Sequence, residues 1–157
     1  MGNKTLIYRA KVEQNLKESL KHLKRLDDAF GQLELYYNMP LEKKSYQDML
    51  NSLEHLAYSD QIIYRFSKLQ DSIGAKLFKS LLLFQGENVN RPFLDILNQL
   101  EKMDIIEVEA WFEIRDLRNE IAHDYEDSDE VAIDILNAIF ELKDELKAVL
   151  EAVARLV

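Results

Sequence analysis

Apolar residues recur every three or four positions through most of this chain, and few residues interrupt that pattern. In the first segment, residues 4–30, the apolar positions are Leu6, Val12, Leu16, Leu20, Leu23, Leu26 and Phe30. This spacing places side chains on one face of an α-helix. The 157 residues include only four glycines and two prolines, so long helices can form without a break. No stretch alternates as a strand would, and the pattern predicts an all-α protein.

Capping residues and helix breakers divide the rest of the chain into further predicted helices. The predicted starts are Ser45 with Asp48, Asn90 or Arg91 followed by Pro92, Asp104 with Glu107, and Asp127 with Glu130, and the second helix is predicted to end at Gly86 and Asn88. Gly74 is expected to bend that second helix or divide it in two. We therefore predict one domain over residues 1–157, an all-α, four-helix up-and-down bundle with one short additional helix.

The lack of cysteine and of long apolar runs predicts the compartment and limits the chemistry. Without cysteine there is no thiolate catalysis, and the composition fits a reducing cytoplasm. No apolar run approaches the roughly 20 residues of a membrane span. Lys4, Arg9 and Lys11 break up the apolar residues that a signal peptide would need. We expect a cytoplasmic protein with no membrane partner, and nothing in the sequence predicts a cofactor.

Charge is unevenly distributed along the chain, whose net charge is −9. Residues 1–25 carry seven Lys and Arg against two Glu, whereas residues 101–157 carry six against seventeen Asp and Glu. An acidic protein repels nucleic acid, so an RNA substrate would need a local basic patch. That patch would combine the basic first segment with Arg115 and Arg118. Two other interpretations stay open: the first segment is a solvated helix face, or the acidic C-terminal third docks a basic partner protein.

One short segment carries residues suited to phosphodiester chemistry. Residues 118–125 read Arg-Asn-Glu-Ile-Ala-His-Asp-Tyr, near the end of a predicted helix. Arg118 can neutralise a phosphate with a fork of donors, and His123 can carry a proton near neutral pH. Asn119 and His123 are four residues apart and share a stripe of the helix, while Arg118 and Tyr125 share a neighbouring one. This combination suits phosphodiester cleavage without a metal.

The same residues resemble a known family. Arg-Asn, three residues, His, one residue and Tyr is similar to the R-x4-H-x-Y motif of HEPN-domain proteins of the HepT type. The lead-in at residues 100–106, the segment from Trp111 to Tyr125, and the mid-chain residues 61–66 also resemble that family. The resemblance implies a small all-α homodimer whose two motif helices line one cleft. It also implies a metal-independent endoribonuclease toxin, neutralised by a cognate minimal nucleotidyltransferase.

The resemblance also implies a role for each motif residue. Arg118 would steady the scissile phosphate, and His123 would move a proton to or from the 2′-hydroxyl or the leaving oxygen. Asn119 would orient the histidine or the backbone. Attack by the ribose 2′-hydroxyl would give a cyclic phosphate. Tyr125 matches the position at which the nucleotidyltransferase can attach AMP, which would add charge and block the cleft.

Two further basic residues are candidate contacts for the substrate or the partner. Arg65 lies on the segment that resembles the helix packing opposite the motif, and Arg115 lies one turn before Arg118. A salt bridge is the structural alternative for Arg65. Arg118 has a structural alternative as well, because it could pair with Asp116, with Glu120 or with an acidic residue on an adjacent helix.

Three functions therefore stay open. The first is the ribonuclease toxin, and the second is a non-catalytic substrate-binding or partner subunit of a nucleotidyltransferase. The acidic run at residues 124–130, which would oppose RNA entry, favours the second. The third is a plain helical dimerisation module. We predict no metal site, because Glu120 and His123 form a single Glu-x-x-His pair and a di-metal bundle needs two.

Overall fold

The computed structural model describes residues 2–157, and every regular element in that range is a helix. The elements are α1 (Gly2–Glu34), α2 (Lys43–Leu50), α3 (Leu53–Ser72), a π-helical segment (Ile73–Leu77), α4 (Phe78–Phe84), α5 (Phe93–Lys102), α6 (Val108–Asp124) and α7 (Asp129–Ala154). The prediction of an all-α protein is confirmed. Within the described residues, no helix is both long enough and apolar enough to cross a membrane.

α3, the π-helical segment and α4 form one continuous rod, because the residues at both joints keep helical backbone angles. The rod, which we call the α3–α4 rod, contains Gly74 within its π-helical turn. Gly74 was expected to bend the helix or divide it, and the structure instead widens the helix by one residue at this point. The rod ends where predicted, since Gly86 adopts a left-handed φ of 83° just after α4.

α1 packs antiparallel along the rod through polar as well as apolar contacts. The Asn15 amide donates to Ser80 Oγ at 3.0 Å, and Ser19 Oγ lies 2.8 Å from Ser72 Oγ. All four side chains are buried, and each hydrogen bond satisfies groups that would otherwise cost free energy in the core. These bonds fix the register of α1 against the rod, because a shift of one residue would leave them unpaired.

The apolar core lies where the rod, α1, α6 and α7 meet. α1 packs along the whole rod and also against α7, while α6 packs against α3, α5 and α7. α2 lies across α3 and α7. The largest fully buried side chains include Phe30, Phe66, Phe78 and Trp111. α6 contributes Trp111, Ile114 and Leu117 to this core, so residues on its other faces can contribute to a functional site.

Two residues of the predicted α1 stripe do not belong to the core. Leu6 is 66% exposed and Leu20 is 44% exposed. Asn15 and Ser19 take core positions instead, because α1 meets the rod through its polar contacts there. Residues 2–11 are exposed apart from the half-buried Tyr8. Periodicity alone could not show which stripe of α1 would face the rod.

Most of the predicted helix starts are displaced by a few residues. The helix predicted from Ser45 is two helices: α2 starts at Lys43, and Ser52 caps α3 by accepting from the backbone N–H of His55. Similarly, Ser128 rather than Asp127 caps α7. α5 begins at Phe93, after Pro92. Several short polar residues near each start offer similar capping energies, so the local sequence does not choose among them.

The predicted cap of α6 is wrong for a different reason. Asp104 adopts a φ of 56° in the turn after α5, so it cannot cap a helix that begins at Val108. The carboxylate of Glu101 accepts from the Val108 N–H at 2.7 Å in its place. A residue of the preceding helix therefore satisfies this N-terminal donor, and that contact ties the start of α6 to α5.

Adding a methyl group at Gly74 is expected to destabilise the protein. A Cβ at this position would lie 2.7 Å from Cζ2 of Trp111, whose ring is fully buried and packs edge-to-face against Phe78. We predict that Gly74→Ala lowers the free energy of unfolding by about 1–3 kcal/mol, measured by urea denaturation.

Gly31→Ala is the matched control, because Gly31 lies on α1 and a Cβ there meets nothing within 4 Å. This control should raise the free energy of unfolding by about 0.4–1 kcal/mol. Equal effects of the two substitutions would show that Gly74 and Trp111 do not pack as closely as this distance indicates.

Candidate functional site

Arg118, Asn119 and His123 occupy the last two turns of α6 and diverge around its axis, and Tyr125 directly follows the helix. Trp111, Ile114 and Leu117 hold α6 against the core. Arg118 then lies towards α3, while Asn119 and His123 lie on an exposed side of the helix. Residues five apart on an α-helix differ by about 140° in direction. Within one chain, Arg118 and His123 therefore do not converge.

Arg118 forms an ion pair with Asp71 of α3. Its Nε and Nη2 atoms lie 3.4 and 3.3 Å from the two carboxylate oxygens, a forked arrangement. The Arg118 side chain is 29% exposed and that of Asp71 is 49% exposed, so water screens the pair. Such pairs contribute about 1 kcal/mol or less. Of the structural partners considered for Arg118, the acidic residue on an adjacent helix is the one found.

A cleft of about 370 Å³ lies between α3 and the C-terminal end of α6. It is lined by Asp60, Ile63, Tyr64, Ser67, Lys68, Asp71, Arg118, Tyr125 and Glu126. We call it the Arg118 cleft. Three carboxylates and two cations line it, so its charge balance opposes a polyanion unless a cation is released from its partner. Asn119 and His123 are not among its lining residues.

Tyr125 follows the last residue of α6 and turns inwards. Its hydroxyl lies near Ser59 of α3, whose own hydroxyl donates to the Leu56 carbonyl at 2.7 Å. Burial raises the pKa of the Tyr125 phenol well above its usual range, and the nearby Ser59 acts in the opposite direction. The phenol therefore stays protonated at neutral pH. Attachment of a group to this oxygen would first require the half-buried side chain to move outwards.

Asn119 and His123 are the most accessible members of the motif. Both side chains are exposed, and neither makes a side-chain hydrogen bond or ion pair with the rest of the described chain. His123 lies in the last turn of α6. These two side chains are free to meet a substrate or a second protein.

Arg65 points away from the Arg118 cleft and towards α1. Its Nη1 lies 3.0 Å from Nδ1 of His22, and its guanidinium carbon lies 5.2 Å from the centre of the Tyr64 ring. Because an arginine can only donate, the Nδ1 of His22 is the acceptor and the ring is neutral. The expected salt bridge is not formed with any described residue. Arg65 interacts with His22 instead of with a carboxylate.

Arg115 lies on the exposed side of α6, one turn before Arg118. Its guanidinium carbon is 5.6 Å from the centre of the Phe112 ring, and it has no carboxylate partner in residues 2–157. Arg115 lines a second cleft that also includes Asp71. The two clefts therefore meet at Asp71 along the seam between α3 and α6.

Sequence reasoning missed the residues of α3 that complete the site. Asp60, Tyr64, Ser67 and Asp71 recur at helical spacing and share the face that meets α6. That spacing was visible in the sequence. Which face of α3 would meet α6 was not, because apolar residues cover a wide arc of this helix.

Comparisons with known proteins identify no relative. No family model, curated protein or solved structure matches the chain. Membership of the HEPN family therefore stays a prediction, which rests on the residues of the motif and on the segments around it.

The contact between His22 and Arg65 predicts a pH dependence of stability. Burial lowers the pKa of His22 below 6.5, its value in the unfolded chain, and Arg65 lowers it further. The unfolded chain therefore binds this proton more readily than the folded protein does. The free energy of unfolding should fall as the pH drops below 6.5, and the contribution is fully present above that value.

His22→Gln keeps an acceptor for Arg65 but cannot titrate. Urea denaturation at pH 7.5 and pH 5.5 should show a smaller loss of stability in this variant than in the wild type. Arg65→Met, which removes the second cause of the pKa shift, should also reduce the loss. Identical losses in all three proteins would contradict the assignment.

Proposed function

We propose that this chain is a metal-independent endoribonuclease toxin that acts as a homodimer and is paired with a minimal nucleotidyltransferase. The observation that carries the proposal is the position of two groups on α6. Arg118 lies partly exposed on the wall of a cleft, and the exposed, unpartnered His123 lies at the end of the same helix. Arginine and histidine are the groups that phosphodiester cleavage needs in the absence of a metal.

The proposed reaction is attack of a ribose 2′-hydroxyl on the adjacent phosphorus. His123 accepts the hydroxyl proton while the bond between the 2′-oxygen and phosphorus forms. Arg118 donates to the non-bridging oxygens, whose negative charge grows in the transition state. The bond from phosphorus to the 5′-oxygen then breaks, that oxygen takes up a proton from water, and the His123 imidazolium returns its proton to the solvent. The products are a 2′,3′-cyclic phosphate and a 5′-hydroxyl. In this scheme Asn119, four residues before His123, orients the imidazole.

A second copy of the chain would supply the convergence that one chain lacks. Arg118 and His123 diverge by about 140° around α6, so their side chains reach different faces. Arg115, Asn119, Ala122 and His123 form an exposed strip along α6. If two such strips met, Arg118 of one copy would approach His123 of the other. The exposed strip supports this arrangement, and the site is incomplete without it.

The fold that accompanies this proposal is the four-helix up-and-down bundle of the resemblance. α1, the α3–α4 rod, α6 and α7 are its four members in this interpretation. The described chain has two shorter helices, α2 and α5, where one was expected. α5 then corresponds to the predicted short helix, and α2 is an addition in the connection between α1 and the rod.

A non-catalytic partner subunit of a nucleotidyltransferase is the second candidate. The acidic lining of the Arg118 cleft favours it, since Asp60, Asp71 and Glu126 outnumber Lys68 and Arg118. Asp71 also occupies the donors of Arg118 that a phosphate would need. In this function the end of α6 binds the transferase and offers Tyr125 for AMP attachment. Outward movement of Tyr125 would be coupled to that docking.

The two candidates differ in whether His123→Ala abolishes RNA cleavage. Purified wild-type protein with unmodified Tyr125, incubated with RNA and EDTA, should give fragments that end in cyclic phosphates. We predict that His123→Ala and Arg118→Ala each lower the cleavage rate by about 10²–10⁴-fold. Arg155→Ala, which removes an exposed arginine at the end of α7, should leave the rate unchanged. Cleavage by His123→Ala at the wild-type rate rejects the ribonuclease, and absence of cleavage by any protein favours the partner subunit.

Mixing the two inactive variants tests whether the site is shared between copies. If Arg118 of one copy works with His123 of the other, each mixed dimer contains one intact site. An equimolar mixture of Arg118→Ala and His123→Ala should then recover about a quarter of the wild-type rate, because half of the dimers are mixed. No recovery in a mixture that exchanges subunits would show that each chain carries its own site.

Removing the carboxylate of Asp71 should favour RNA binding. Asp71→Asn frees the donors of Arg118 and removes a negative charge from the cleft. We expect the Kd for a 2′-O-methyl RNA to fall by up to about fivefold, which corresponds to ~1 kcal/mol, measured by fluorescence anisotropy at constant salt. Asp144→Asn, which removes a carboxylate that is 81% exposed on α7, is the control for net charge. An equal change in the two variants would count against RNA binding at Arg118.

A further inference from the structure

The second cleft of the α3–α6 seam has features that the proposed cleavage does not use. It encloses about 320 Å³ between the π-helical segment, α6 and the start of α5. The residues that matter for its chemistry are Gln70, Gly74, Lys79, Phe93, Trp111 and Arg115. We call it the Trp111 cleft. Its volume is at the lower end of the range for small-molecule sites.

Trp111 contributes a buried donor that has no acceptor. The residue is fully buried, and its Nε1 has no hydrogen-bond partner among residues 2–157. An unsatisfied buried donor costs about 1–3 kcal/mol, and folded proteins rarely keep one without a reason. Here the rest of the ring is well packed, since its centre lies 5.0 Å from that of Phe78 in an edge-to-face arrangement. The indole is thus held in place with its N–H unused.

Beside the indole N–H of Trp111, the wall of the cleft is formed by the backbone of Gly74. Cζ2 of Trp111, which is next to the carbon that bears Nε1, lies 2.7 Å from the place where a Cβ of Gly74 would be. Only glycine lets this edge of the indole lie so close to the rod. Gly74 belongs to the π-helical turn, and such turns occur frequently at functional sites. The amide nitrogen of the buried Gln70 lies 3.6 Å from the same point and brings a second N–H donor to this corner.

The rim of the cleft carries positive charge that no described residue neutralises. Arg115 and Lys79 are exposed, and neither has a carboxylate partner within residues 2–157. The one carboxylate that lines the cleft, Asp71, is paired with Arg118. In a protein of net charge −9, two free cations beside two N–H donors form a local site for an anion.

We infer that the Trp111 cleft binds the phosphate group of a nucleotide, either free or within an RNA strand. Arg115 supplies a fork that matches phosphate oxygens, and Lys79 supplies a second charge. The indole N–H of Trp111 and the amide of Gln70 donate from the inner wall, once the ligand has displaced the side chains over them. Phe93 offers an apolar surface for the sugar or the base.

The position of the cleft relates it to the proposed cleavage. Arg115 and Arg118 are three residues apart on α6, so their Cβ atoms are about 5–6 Å apart. An RNA strand that follows the seam would place one phosphate at Arg118 and a neighbouring one at Arg115. In this respect the inference rests on the proposed function. Occupancy of the Trp111 cleft can nevertheless be measured without any cleavage.

Trp111 is the only tryptophan of the chain, so its indole N–H gives one identifiable signal in a ¹H–¹⁵N NMR spectrum. The protein would be titrated with uridine 5′-monophosphate, with inorganic phosphate and with 2′-O-methyl oligouridine, which cannot be cleaved. We expect a saturable downfield shift of this signal. Arg115→Gln with Lys79→Gln should raise the Kd about tenfold or more, because each removes a charged hydrogen-bond donor. Arg155→Gln with Lys147→Gln is the matched control, because Lys147 is an exposed cation on α7 and Arg155 is an exposed cation directly after it.

The outcomes separate the sources of the phosphate. A shift with uridine monophosphate identifies a site for free nucleotides, and a shift with the oligonucleotide alone identifies a site for a strand. No shift with any of the three probes at about 10 mM phosphate overturns the inference, since a weaker Kd carries only a few kcal/mol. So does a shift that is equally strong in the Arg115 and Lys79 double variant.

Two further measurements remove the remaining explanations. If Gln70→Met shifts the signal in ligand-free protein, the indole already donates to Gln70, and the inference is overturned. The same titration in His123→Ala tests phosphate binding at the Trp111 cleft separately from the proposed ribonuclease activity. Binding at Trp111 without cleavage by the wild type rejects the ribonuclease alone, whereas cleavage without a shift at Trp111 rejects the phosphate site alone.

Discussion

The indole of Trp111 packs against the bare Cα of Gly74, and this contact sets how closely α6 approaches the α3–α4 rod. The π-helical turn at Ile73–Leu77 places Gly74 opposite the indole. Two turns further along α6, the same approach brings Arg118 within reach of Asp71, and it lets Tyr125 meet Ser59. Both clefts of the seam exist because α6 is held at this distance. A side chain at Gly74 would move the whole motif, because a packed interior transmits such a shift.

α6 also separates the charges of an acidic protein. Arg115 and Arg118 face the seam with α3, whereas Glu113, Asp116 and Glu120 line a groove of about 350 Å³ against α7. The carboxylates are thus turned away from the two arginines by roughly half a turn of helix. Charge that looks mixed along the sequence becomes two strips of opposite sign in space. On the seam itself, Asp60 and Asp71 of α3 and Glu126 add carboxylates beside Arg118, so a polyanion would meet mixed charge there.

Several elements show how far local sequence determines this structure. The end of the rod at Gly86 was predictable, because a left-handed φ there suits glycine. The starts of α3 and α7 were displaced, since Ser52 and Ser128 compete with other short polar residues for the same role. Leu6 and Leu20 have the spacing of core residues and are exposed. Helical spacing shows that a face exists, but the neighbouring helix decides whether that face is covered.

The sequence by itself determined that the chain is helical and that Arg118, Asn119, His123 and Tyr125 lie at the end of one helix. Periodicity and residue chemistry suffice for this, because both are local properties. Only the tertiary structure decided that Arg118 pairs with Asp71, that Tyr125 lies half-buried near Ser59 and that Trp111 keeps an N–H without a partner among the described residues. These contacts join residues distant in sequence. They depend on the rotation and spacing of packed helices, which the whole core sets together.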